Sequence, residues 1–564
     1  MRSVARGAAT VSLRAPSRAR SVARVVAPRH VPFPPIAVRP TLAVLALSAA
    51  LAACAKSPDS TPGATAITIT NVMLIDGTGA SARAGAVRIV GDTIADVGSE
   101  VGPAPGDSVI DGRGLVLAPG FIDTHSHHAS GLGDSPDGLA VISQGITTVI
   151  GGQDGGHPMP LGAALDSLAR KGTVANVAFY AGHGSIRDAV MGADFKRVAT
   201  QAEVDSMAVL LKRELDAGAL GLSTGLEYDP GIYSARPEVL QLAKVAAAAG
   251  TRYMSHVRSE DRWFWDAIDE IITIGREAKL PVQISHVKLA MVPLWGQADS
   301  LRRVLDRARA DSIDITADIY PYPYWQSTLT VLFPKRDFDN RAEAEKILRE
   351  IATPEGLLLG SYAPNPSYAG RTVAEIAAER KEAPAVTLMT LIRDAEAMRA
   401  EREKTGKGEG TVESVVATSM DEKDIATLMA WDHTNICSDG GLDSAHPRGF
   451  GAFPRVLGKY IRDGKVVSLE EGVRKMTSLA ARHVGLTRRG TLAAGNYADM
   501  VLFDPATVAD RATTKEPHLT SVGIARVWVN GREVYRDGKA TGVRSGTAIR
   551  RQEQRPEAPP AEPR

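Results

Sequence analysis

Cysteine is nearly missing from this chain: the 564 residues hold only Cys54 and Cys437. Two thiols can make at most one bridge, which rules out a disulfide-stapled scaffold, so the fold has to rest on its core. Charge of one sign is missing as well, since 66 Lys and Arg stand against 65 Asp and Glu and leave a net charge of +1. No global field recruits nucleic acid or another polyionic partner, and recognition has to be local. Aromatic residues make up only 5% of the chain, while glycine occurs 53 times. That balance suits an α/β enzyme with many tight strand-to-helix turns better than a fibrous or disordered chain. The apolar run TLAVLALSAALAA, residues 41–53, is shorter than the ~20 residues a membrane span needs.

That run has a different meaning. Arg2, Arg6, Arg14, Arg18, Arg20, Arg24, Arg29 and Arg39 form a long basic segment before it, and Cys54 follows it. A basic stretch, an apolar stretch and small residues make an export signal. Leu51, Ala52, Ala53 and Cys54 resemble a bacterial lipobox, which implies cleavage before Cys54 and a lipid on its sulfur. An ordinary signal peptide cleaved at the same alanines is the alternative. The expected location is the periplasm or cell envelope, with the membrane reached only through a lipid anchor at Cys54. Residues 55–66 are small, polar and Pro/Gly-containing, as a tether would be.

Beyond the tether, residues 67–117 carry short alternating runs such as ITITNVMLID, and the same pattern returns at 489–544 in ADMVLFDPA and IARVWVNGREVYRDGK. Together they are expected to complete one small β-sandwich around an inserted domain. Within residues 118–488, near-continuous apolar strands alternate with helices: GFIDTHSHH, ITTVIGGQD, VANVAFYAGH, ALGLSTG, RYMSHV, VQISHV, DITADIYPY and NICSDGG. Eight such units predict an α/β fold, a (β/α)8 TIM-like barrel with parallel strands covered by helices. Residues 333–426 break the alternation with charged, helix-prone sequence, either a lid-like subdomain on the catalytic side or a solvated appendage. The tail from Ser545 is charged and Pro-rich, and disorder is expected there.

In a (β/α)8 barrel the chemistry sits at the carboxyl ends of the strands. His125 and His127 end the first strand, Asp154 the second, His183 the third, His256 the fifth, His286 the sixth and Asp439 the eighth. Residues two apart on a strand share a face, so the imidazoles of His125 and His127 point one way, as ligands to zinc would. A surface histidine turn is the plainer reading of an HxH taken alone.

The stretches APGFIDTHSHH, SHVRSE, SHVK and ICSDGG resemble the amidohydrolase superfamily. SQGITTVIGGQDGG, STGLEYDPGIYS, DIYPYPY, AHPRGFGAFPRVLGKY and LAAGNYADMVLFDP narrow the resemblance to the N-acyl-D-amino-acid deacylase (D-aminoacylase) family, over Ile67 to Gly538. It implies a Zn²⁺-dependent hydrolase, with one or two ions or another divalent metal, that cleaves the amide of small N-acyl-D-amino acids. His125 and His127 would hold one metal position and His256 and His286 the other. Asp439 would take a proton from the attacking water and pass it to the leaving amine. Lys288, Tyr320 and Arg448 match positions that hold the substrate carboxylate, though a structural ion pair is an alternative for each. At Asp154 the chain departs from the pattern, since many members carry a cysteine there. A carboxylate is a harder ligand and a better bridge between two ions, which leaves the metal count open; a turn aspartate between glycines is the alternative. His183 and Arg187 are placed at the mouth without a role, and His157, His433, His446 and His483 are read as structural or exposed.

Within the superfamily the rival is a cyclic amidase of the dihydropyrimidinase kind, or a dipeptidase. The former usually bridges its metals with a carboxylated lysine on the fourth strand, where this chain reads GLSTG. A lipid-anchored binding protein with an inactive barrel would not need Asp439.

Overall fold

Eight strands with buried side chains form a ring in the computed structural model, which describes residues 66–554 apart from 136, 408 and 409. They are β1 (Phe121–Asp123), β2 (Ile146–Gly151), β3 (Asn176–Phe179, continued by Ala181–Gly182), β4 (Gly221–Gly225), β5 (Arg252–His256), β6 (Val282–Ile284), β7 (Ile315–Ile319) and β8 (Thr434–Ile436). Each pairs in parallel with the next. The ring closes where β8 returns to β1: the Asp439 amide donates to the His125 carbonyl at 2.8 Å and the Ser438 amide to Asp123 at 2.8 Å. Strands such as β2 (ITTVIG) are buried at every position because the interior of the ring lies on one side and the helical layer on the other. Helices such as α1 (Leu161–Lys171) and α2 (Gln201–Ala217) supply that layer.

The two terminal segments meet in one nine-stranded sheet. Val116–Pro119 from the first pairs antiparallel with Met500–Phe503 from the second. Ile69, Val87, Leu117, Met500 and Trp528 from both parts share one apolar core. The expected leader with Cys54, the tether up to residue 65 and the last ten tail positions, 555–564, lie outside the described residues.

Two expectations are corrected. The tail is not disordered from Ser545: residues 545–554 run along the barrel wall, where Val177 donates to Thr547 at 2.9 Å and Ile549 donates to Val177 at 2.8 Å. Ile549 is buried at 3% exposure, an apolar residue whose signal was diluted by the Pro-rich sequence after it. The insertion is not all helix either. Besides helices at Arg341–Glu350, Val373–Arg380 and Pro384–Thr405 it holds a three-stranded antiparallel sheet of Tyr324–Ser327, Leu357–Tyr362 and Glu413–Thr418. The excursion therefore begins earlier than Phe333. LLLGSY and ESVVAT are strand-like runs that the surrounding charge conceals.

Candidate metal centre

His125, His127, Asp154, His256, His286 and Asp439 lie at or just past the carboxyl ends of their strands, so these side chains converge at one mouth of the ring. His125 Nε2 and His127 Nε2 stand 3.3 and 3.2 Å from the same oxygen, Asp154 Oδ2, while His286 Nε2 stands 3.4 Å from Asp154 Oδ1. His127 Nε2 is also 3.1 Å from Asp439 Oδ1, and His256 Nδ1 is 3.0 Å from His286 Nε2. His125, His127, Asp154 and Asp439 each place a donor atom within 4.8 Å of the others, and Asp154, His256 and His286 do the same. Asp154 belongs to both groups, one oxygen facing each. The two clusters could hold two divalent ions with this carboxylate between them.

The outer nitrogens are tied back. His256 Nε2–H donates to Glu227 at 3.1 Å, while His286 Nδ1 accepts from the Lys288 ammonium at 2.6 Å and lies 2.9 Å from Glu260. The Glu227 bond fixes the His256 ring and turns its Nδ1 into the cluster, as carboxylates behind metal-binding histidines do, and the Lys288 and Glu260 contacts hold the His286 ring in place. The backbone is held in unusual conformations: Asp154, His286 and Asp439 have φ of 54°, 34° and 51°, in the left-handed region. Such conformations persist where surrounding structure over-determines them, and they gather at functional sites. For His286 the restraint is visible, since its amide donates to buried Asp318 at 2.6 Å. For Asp154 it is close packing: a Cβ on Gly225 would lie 2.2 Å from the Asp154 carbonyl oxygen.

The electrostatics favour a cation. Burial would raise the carboxyls of Asp154 and Asp439. Imidazoles hold Asp154 well below the usual range, and Arg448 together with His125 and His286 does so for Asp439. Burial and the Lys288 ammonium push His286 down, yet Glu260, Asp439 and Asp154 carry it up to about 10. A site that favours positive charge this strongly on a buried nitrogen suits a divalent cation equally well.

Beside the cluster lies a tight cleft of about 40 Å³, lined by Glu227, Tyr228, Lys288, Trp325 and Arg448 among others. Lys288 donates to Glu260 at 2.6 Å, and Arg448 pairs with Asp439 Oδ2 at 2.6 Å. Tyr320 lies between these cations, its ring centre 5.5 Å from Lys288 and 4.8 Å from Arg448, with its buried hydroxyl unpartnered. The nine residues given a role in the sequence reading, His125, His127, Asp154, His256, His286, Lys288, Tyr320, Asp439 and Arg448, are thus brought together here.

Glu227, Tyr228 and Glu260 were given no role in the sequence reading, although STGLEYDP and SHVRSE contain them just past the ends of β4 and β5. His183 and Arg187 are not at the mouth. Both are fully buried and bind Glu238 at 2.8 and 3.0 Å, and Arg187 also caps the Phe195 and Arg197 carbonyls. Theirs is a structural ion network. His446 is structural too, bonding Tyr324 O at 2.8 Å behind Tyr320.

Comparison with known proteins agrees with this geometry. The model of the amidohydrolase family matches residues 108–535. N-acyl-D-glutamate deacylase of Alcaligenes xylosoxydans xylosoxydans is 36% identical over 486 residues, covering 82% of this chain and 92% of that protein. A crystal structure of N-acyl-D-glutamate deacylase from Bordetella bronchiseptica, complexed with zinc and a phosphonate mimic of the tetrahedral intermediate, superposes with a TM-score of 0.74 at 33% identity, covering 86% of this chain and 99% of that one. A D-aminoacylase structure concerned with the role of its binuclear metal center gives a TM-score of 0.75 at 33% identity with the same coverage. Barrel, histidine cluster and near-full-length likeness together make this chain a member of the amidohydrolase family and, within it, of the N-acyl-D-amino-acid deacylase (D-aminoacylase) family.

Proposed function

We propose that the chain is a metal-dependent hydrolase that cleaves the amide bond of N-acyl-D-amino acids, with zinc as the expected metal. The observation that carries this reading is the gathering of His125, His127, His256 and His286 around Asp154 and Asp439, beside a cleft lined by Lys288 and Arg448 with Tyr320 between them. His125 and His127 would hold one ion and His256 and His286 the other, with Asp154 shared. A divalent ion bound there supplies an activated water at neutral pH and polarises the scissile carbonyl.

The remaining steps fall to the chain's own side chains. The substrate carboxylate is received by Lys288, Arg448 and the unpartnered Tyr320 hydroxyl, and a planar guanidinium suits a carboxylate. Arg448 keeps Asp439 ionised before substrate arrives, the state a general base requires. Asp439 then accepts the proton of the attacking water and returns it to the amine nitrogen as the C–N bond breaks. A carboxylated lysine bridge of the cyclic-amidase kind finds no counterpart, since β4 holds Gly221–Gly225 without lysine.

Asp439→Asn tests the proton step. Metal content is expected to stay near wild type while kcat falls at least about 10²-fold, the scale of a general acid/base. A variant keeping more than about a tenth of kcat would contradict the role. We also propose export to the cell envelope with a lipid on Cys54, supported by the basic segment and the Leu51–Cys54 motif. Cys54→Ser is expected to move the protein from the membrane to the soluble fraction; unchanged membrane association would contradict it.

A further inference from the structure

A second cavity meets the metal cluster at His127. It has a volume of about 540 Å³ and is walled by His127, Ala129, Gly131, Ser167, Leu168 and Phe179. It lies between the loops after β1 and β2 and the helix α1. A cavity of this size falls within the ~300–1,000 Å³ range of small-molecule sites, whereas the cleft holding Lys288 and Arg448 offers about 40 Å³. Most of the open space beside the cluster is therefore on the His127 side.

Asp439 lines the cleft and reaches the larger cavity only through His127. Its Oδ2 meets Arg448 at 2.6 Å in the cleft, and its Oδ1 meets His127 at 3.1 Å, whose ring forms the wall of the larger cavity. The His127 side chain is 44% exposed, while that of His125 is fully buried, so the cluster opens along the His127 edge. On the reading above, the substrate carboxylate sits with Lys288, Tyr320 and Arg448 and its amide lies over the cluster. In an N-acyl amino acid the acyl carbon is attached to the far side of the amide nitrogen from the carboxylate-bearing carbon. The acyl group must then leave the cluster toward His127.

We infer that the cavity between the β1 and β2 loops and α1 is the acyl subsite, and that it takes uncharged acyl groups much larger than acetyl, either medium-length alkyl or aromatic. This inference rests on the deacylase reading. The chemistry of the wall fits such a group. Ala129, Leu168 and Phe179 offer apolar contact, and Gly131, Gly151 and Gly152 add no side chain to the wall. The charges at the rim, Asp134 and Lys171, are paired with each other at 2.6 Å and leave no free ion to recruit a charged acyl group.

The test uses metal-loaded full-length enzyme with N-acetyl, N-octanoyl and N-benzoyl derivatives of one D-amino acid, comparing kcat/KM for wild type and Ser167→Trp. Ser167 lies on the surface helix α1 and has no part in the metal cluster or the carboxylate cleft. Wild type is expected to cleave the octanoyl and benzoyl substrates at least as efficiently as the acetyl one. Ser167→Trp is expected to lower the two large substrates about tenfold or more while leaving acetyl within about twofold, the steric scale of a filled pocket. Ala164→Trp, one turn earlier on the same cavity wall, is expected to act alike, so a folding defect in one variant does not decide the matter. A wild-type kcat/KM that falls about tenfold from acetyl to both large groups would overturn the subsite, as would an equal loss on all three substrates in both variants. If wild type cleaves none of the three, the deacylase reading itself fails and the subsite with it.

Discussion

Asp154 is the residue on which the metal count turns, because its two oxygens face different imidazole groups: His125 and His127 on one side, His286 on the other. With a carboxylate there, the purified enzyme is expected to carry close to two metals per chain, and Asp154→Ala to drop that toward one or none. Asp154→Cys is the sharper variant. Zn–S bonds run to about 2.3 Å against about 2.0–2.2 Å for carboxylate oxygen, and sulfur is softer, so one zinc should stay tightly held and the second weaken. Metal analysis of both variants checks this; full metal content and full kcat in Asp154→Ala would reduce Asp154 to a turn residue. At this scale the sequence was most readable where residue type and strand end coincide, as at His125, His127, His256, His286 and Asp439. Glu227 and Glu260 were unreadable because a carboxylate that steadies a histidine carries no spacing signal of its own. His183 and Arg187 were misplaced for a related reason: a histidine at a strand end can turn inward to a buried partner, here Glu238.

Among the elements, the loop after β2 is held where it is by glycine. Gly152 has a φ of 81° and would set a Cβ 2.2 Å from the Tyr180 carbonyl, and Gly225 at the end of β4 allows the Asp154 backbone to press against it. Gly225→Ala is therefore expected to destabilise the fold by about 1–3 kcal/mol, the scale of overpacking. It should also lower metal content by displacing Asp154. Thermal unfolding and metal analysis on one sample check it; a variant with wild-type Tm and two metals would show that the loop tolerates displacement. The eight barrel strands were legible because a buried parallel strand is a short apolar run with a polar end. The three-stranded sheet of the insertion and the strap at residues 545–554 were not, since each is a short apolar segment inside charged or Pro-rich sequence, where composition over a longer window outweighs it.

Among the described residues, Val116–Pro119 and Met500–Phe503 join the segments before and after the barrel in one sheet, and the barrel closes at the metal cluster, where the Asp439 amide donates to the His125 carbonyl. The cluster therefore lies on the seam that closes the ring. On the proposed reading the substrate carboxylate takes the cleft with Lys288 and Arg448, and the acyl group takes the cavity beside His127. The most direct test of the account removes the metal by chelation, restores it with zinc in stepwise equivalents, and at each step measures free amino acid released from paired N-acetyl-D- and N-acetyl-L-amino acids. The account expects no release without metal, activity returning with added zinc, and products from the D series alone. Undiminished release after the metal has been stripped, or equal turnover of the L series, would contradict it.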